Sequence, residues 1–136
     1  MTEFVSGVKA IPFNGDRIFD MLSDLSNLDK VKDRIPGEKF KDFTFDSDSC
    51  SFVVEPVGEI TFQIVDREPN KTIKLTTINS PVPLHLWIQL KQVEENDARL
   101  KLTLRADLNP FIRPLVSKPL QDALDKIADL LATIPY

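Results

Sequence analysis

The sequence predicts an α+β fold, one seven-stranded antiparallel sheet with a single apolar face under a long C-terminal helix. Six short strand-like runs separated by turn residues occupy residues 39–109, and another precedes them at 4–11. Folded at their turns, these hairpins bring residues of one parity together on one face. That set is Phe43 and Phe45; Cys50, Phe52 and Val54; Ile60, Phe62 and Ile64; Ile73, Leu75 and Thr77. It continues with Leu84, Leu86, Ile88 and Leu90, then Leu100, Leu102, Leu104 and Ala106. The opposite parity carries most of the charge. An apolar sheet face must be covered, and the amphipathic stretch 117–134 is the one sizeable cover left.

Each element has its own signal. Residues 4–11 are β-branched and apolar, ended by Pro12. Asn14 suits an N-cap, with Ile18, Phe19, Leu22 and Leu25 at helical spacing. Ser26 with Asp29 resembles a capping box for a second short helix bearing Leu28, Val31 and Ile35, stopped by Pro36. Turns are expected at 45–49, 55–59, 67–70, 79–83 and 95–97. This pairing sets Phe43 opposite Phe52, Phe52 opposite Phe62, and Phe62 opposite Leu75. Gln63, Lys74, Thr76 and Lys101 then face solvent, and a one-residue slip would turn the rings outward. Asn109 and Pro110 begin a short turn or helix. Pro114 and Pro119 argue for a break, with the main helix capped by Ser117. Its stripe is Leu120, Ala123, Leu124, Ile127, Leu131 and Ile134; Gln121, Asp122, Asp125, Lys126 and Asp129 are its wet side.

The bulk numbers exclude several classes. At 136 residues, 42% hydrophobic and 28% charged, the chain suits one domain spanning residues 1–136. Its 17 Lys and Arg interleave with 21 Asp and Glu for a net charge of -4, so a nucleic-acid partner is not expected. No integral membrane segment and no targeting segment stand out, which with the single cysteine predicts a cytoplasmic protein.

The segment at 8–24, VKAIPFNGDRIFDMLSD, is a strand, a short break and a helix reading hydrophobic-Phe-x-x-hydrophobic-x-Asp. It resembles the opening of the helix-grip (SRPBCC) superfamily, which contains START lipid-transfer domains, polyketide cyclases and pathogenesis-related plant proteins. The resemblance implies a curved sheet wrapped around the C-terminal helix, with two short helices between strands one and two. It also implies a cavity between sheet and helix for bulky apolar or amphipathic small molecules, and carries no universal catalytic residue.

Little in the chain is armed for chemistry. One cysteine and one histidine do not make a zinc site or a nucleophilic triad, so no metal, cofactor or catalytic residue is expected. Cys50 reads as a buried inert thiol. His85 reads as an outward residue opposite Asp107, and Trp87 as packing near Arg105, where a homodimer contact is the alternative use. Lys41 falls on the inner parity at a strand end and snorkels out. The inner face has no carboxylate for acid–base work. The expectation is a noncatalytic carrier for a lipid, isoprenoid or aromatic metabolite. Its site residues are Phe43, Phe52, Phe62, Leu75, Thr77, Leu86, Ile88, Leu102, Leu120 and Leu124. Side chains filling that space entirely, a cyclase- or hydrolase-like enzyme in the same pocket, and a protein-interaction module are the alternatives. Entry is expected where residues 56–58, 81–83 and 109–116 approach the helix start.

Overall fold

The computed structural model describes residues 2–34, 41–55, 57–134 and 136, with side chains at 31–34, 41, 42 and 79 left out. Ile35, Pro36 and the side chains of Val31 and Lys41, singled out above, therefore lie outside the description. The order is β1 (Thr2–Val5), β2 (Lys9–Ile11), α1 (Gly15–Leu22), a 3-10 helix (Leu25–Arg34), β3 (Lys41–Phe45), β4 (Ser49–Val54), β5 (Gly58–Glu68), β6 (Thr72–Asn79), β7 (Leu84–Glu94), β8 (Asp97–Ala106) and α2 (Arg113–Thr133). One antiparallel sheet runs β1-β8-β7-β6-β5-β4-β3, with β2 also on β8.

The sheet has eight strands, not seven, because the first run is broken. Phe4 pairs with Leu104 and Lys9 with Leu100, so four residues of the first run face three of β8. Ser6 occupies this bulge. Its N–H donates to Leu102 O and its Oγ accepts from Leu102 N–H, both at 2.9 Å. The extra residue also reverses the parity, which lets both Phe4 and Ile11 point inward and be buried.

The predicted inner face forms. From Phe52 to Ala106 every apolar member of the parity set is buried; Phe43, Phe45, Cys50 and Thr77 are half-buried. On the other face Gln63 is exposed, and Lys74, Thr76 and Lys101 are half-buried. Two pairings shift within that parity. Phe43 stacks on Phe52 as expected, centroids 5.7 Å apart. Phe62, however, pairs with Cys50 and Thr77 rather than with Phe52 and Leu75. The turn between β4 and β5 is shorter than expected, since Val54 pairs with Gly58 and Val57 turns inward. Gly58 there has φ +109, and a Cβ would stand 3.3 Å from Pro81 Cγ, so glycine fits the bend. The β5–β6 turn slips by an odd number of residues, and a shift between Ile64 and Asp66 restores the parity.

Asn14 caps α1 as expected, its side chain accepting from Asp16 N–H. The capping box at Ser26 does not form. Asp24 Oδ1 accepts from Ser26 N–H at 3.0 Å and Ser26 Oγ at 2.6 Å. Those bonds, first the hydroxyl's and then the backbone's, hold the Asp24 carboxyl below its ordinary range.

The last helix also differs. It runs unbroken from Arg113, with Pro114 in its first turn and Pro119 inside it. Asn109 Oδ1 accepts from Phe111 and Ile112 N–H, capping the preceding turn. Ser117 does not cap; its Oγ donates back to Arg113 O. Pro119 is tolerated because the carbonyl it deprives of a donor belongs to Leu115, in an exposed part of the helix. The predicted stripe faces the sheet, joined by Val116 and Ala128. Ala123 and Ile127 at its edge are half-buried.

Ser6→Ala would leave the Leu102 N–H buried without a partner. Urea unfolding is expected to show a loss of about 1–3 kcal/mol, whereas Ser26→Ala, on an exposed surface, costs under about 1 kcal/mol.

Candidate functional site

Between the sheet and α2 lies a cavity of about 20 Å³. Val54 ends β4, Ile60 lies near the start of β5 and Leu84 opens β7, so the space sits toward one end of the sheet. Phe52, Phe62, Leu86 and Leu104 form the rest of its sheet wall, and Leu120, Ala123, Leu124 and Ile127 of α2 form the other side. Every lining residue is apolar. The volume admits about one water-sized sphere, so side chains fill most of the space expected to be an open pocket. Phe52 and Phe62 do much of the filling, their centroids 6.3 Å apart.

Five predicted site residues meet here: Phe52, Phe62, Leu86, Leu120 and Leu124. Phe43, Leu75, Thr77, Ile88 and Leu102 do not line the cavity. Leu75, Ile88 and Leu102 are buried on the same face outside its lining, and Phe43 lies on β3 behind Phe52. Thr77 closes the β6–β7 connection, its Oγ1 accepting from Leu84 N–H at 3.1 Å. Sequence reasoning did not assign Val54, Ile60, Leu84, Leu104, Ala123 and Ile127 to the site, although all were placed on the apolar faces. The missing signal was depth along the strands, which parity does not encode.

Of the three loops expected around the entrance, Pro56 lies outside the described residues, and contacts link the 57–58 and 81–83 segments and the end of β8. Gly58 adjoins Pro81, and Asp107 N–H donates to Pro83 O at 3.2 Å just before α2. Val57, Val82 and Val116 are buried beneath them.

Cys50 is half-buried beside this wall. Burial, with a smaller push from the Asp46 carboxylate, raises its thiol from 9.0 to about 12. His85 faces outward but pairs with Arg105, not near Asp107, because the β7–β8 hairpin closes on a two-residue turn between Glu94 and Asp97 and shifts register by one more residue between Gln92 and Glu94. Its Nδ1 is buried with no hydrogen-bond partner among the described residues. Trp87 lies beside it, with Lys74 Nζ 5.3 Å and Arg105 Cζ 5.4 Å from its ring. The ring is therefore held between two cations, as the Arg105 placement anticipated. Among the described residues no three His, Cys, Asp or Glu side chains group as a metal site would need.

No protein-family model matches the chain, and no curated protein matches it in sequence. Solved structures match it over nearly its whole length. A START superfamily protein from Mycobacterium smegmatis is similar at TM-score 0.70 and 12% identity, over 96% of this chain and 94% of that one. Truncated norcoclaurine synthase from Thalictrum flavum is similar at TM-score 0.72 and 15% identity, over 96% and 92%. The same enzyme in complex with dopamine and hydroxybenzaldehyde is similar at TM-score 0.69 and 17% identity, over 96% and 85%. At these identities the likeness shows the fold alone: the chain has the START-like helix-grip fold.

Two tests probe the site's packing. Leu124→Asp would bury an unpartnered charge beneath the sheet, and loss of the cooperative thermal transition is expected. The thiol is protonated up to about pH 12 when folded but ionises near 9.0 when unfolded. Its stabilising share is thus complete below pH 9 and shrinks as pH rises from there toward 12. Cys50→Ala should flatten the alkaline fall in melting temperature across that window, and wild-type Cys50 should react with a thiol reagent at pH 7 only after denaturation.

Proposed function

We propose that this chain is a noncatalytic binding or carrier protein for a hydrophobic small molecule held between the sheet and α2. The observation that carries this reading is a cavity lined entirely by apolar side chains inside a START-like fold. With no ionisable side chain in that lining, affinity would come from desolvating ligand surface, at roughly 25 cal/mol per Å² before ordering costs.

Size sets the binding mode. Ligand sites usually enclose about 300–1,000 Å³, far more than the 20 Å³ found here. On this reading a ligand must move side chains or the cover to enter. The start of α2 is the weakest part of that cover. Ile112 provides no side-chain cap, and Pro119 leaves the Leu115 carbonyl without its helical donor. Opening draws on binding free energy, so apparent affinity falls by the fraction of molecules that are open.

An apolar fluorescent probe should bind and be displaced by long-chain or polycyclic competitors, with little dependence on salt. Leu86→Trp, filling the cavity from the sheet, should weaken probe binding about tenfold or more while the protein stays folded. His85→Ala, on the outer face, should leave affinity within about twofold. Titration by fluorescence checks all three, and a large loss in His85→Ala would count against a carrier using this cavity.

A further inference from the structure

We propose that the end of the molecule around the start of α2 docks on a phospholipid bilayer. Phe111 and Leu115 would enter the interface, and Arg113 and Lys118 would meet lipid phosphates. The inference rests on the ligand-binding reading, because it places the cavity's entrance against a source of apolar ligand.

Phe111 is 87% exposed and Leu115 65%, more than any other large apolar residue described. At that exposure neither contributes much to the folded chain in water. Pro110 and Pro114 beside them are exposed as well. From Asn109 to Gln121 there is no Asp or Glu, while Arg113 and Lys118 are both exposed. This stretch is therefore cationic in a chain whose net charge is -4. Ile78, 58% exposed, ends β6 near the 81–83 loop at the same end of the sheet.

Two features select a bilayer as the occupant. A specific protein interface buries about 1,200 Å² or more, whereas a Phe with a Leu and its prolines supplies only a few hundred. A bilayer needs no matching surface, and amphipathic helix starts with aromatic anchors and cations bind its interface. Glu55, Glu59 and Asp107 are exposed around the same loops, so any preference for anionic lipid should be modest.

The test is co-sedimentation of the full chain with phosphatidylcholine vesicles, with and without a phosphatidylserine component. Wild type should partition onto both, gaining no more than about tenfold from phosphatidylserine. The double variant Phe111→Ser/Leu115→Ser should lose at least about tenfold with its melting temperature unchanged, since both residues are exposed. Wild type failing to bind, or the variant binding equally well, would overturn the proposal. So would a wild-type dimer in solution that the variant turns into monomer. Probe binding without vesicles, measured on the same samples, separates the two readings. Probe bound without vesicle binding rejects docking alone; vesicle binding with no probe bound rejects the cavity reading and leaves docking supported.

Discussion

The structure depends on one constraint: a single apolar sheet face must stay continuous through eight strands so that α2 can cover it. Side chains alternate with period two, so any odd displacement along a strand pair turns a buried set outward. The chain meets that constraint with paired irregularities. The odd slip at the β5–β6 turn is reversed between Ile64 and Asp66, and the Ser6 bulge reverses parity so that both Phe4 and Ile11 turn inward. Bulges also bend strands, which lets a sheet curl toward the helix. The same local features thus preserve the core and shape the concavity.

The cover itself is held by packing more than by its own preferences. Two prolines, no capping side chain and no acidic residue in the first turn make a weak helix start. What keeps α2 continuous is the burial of Val116, Leu120, Leu124, Ala128 and Leu131 against the sheet. Farther along, the Tyr136 hydroxyl donates to Leu131 O at 2.6 Å, and its ring meets Phe13 edge-on at 5.9 Å. The helix is therefore secured at its far end and loosely begun at its near end. The opening proposed above would then lie at the near end, on the side of the exposed Phe111 and Leu115.

Charge is segregated as strictly as apolar surface. Lys74, Arg105, His85 and Trp87 all lie on the outer face, where cations flank an indole ring. The cavity wall contains no titratable group. Charged groups and cavity are thus separated by the thickness of the sheet, and the proposed function rests on the apolar side.

The α+β class, the membership of the inner face, the α2 stripe and the Asn14 cap were all legible in the order of residues. Those are local matters of period and capping, legible from a single chain. Tertiary structure decided the rest. Which residue opposes Phe62 depends on loop closure at Gly58, and whether Pro119 breaks α2 depends on the sheet that holds the helix. Half the expected site, including Phe52, Phe62 and Leu124, gathers around the cavity, while Leu75, Ile88 and Leu102 lie on the same face beyond it. Parity tells which side a residue faces; only the curvature of the assembled sheet and the fit of its rings decide where space is left.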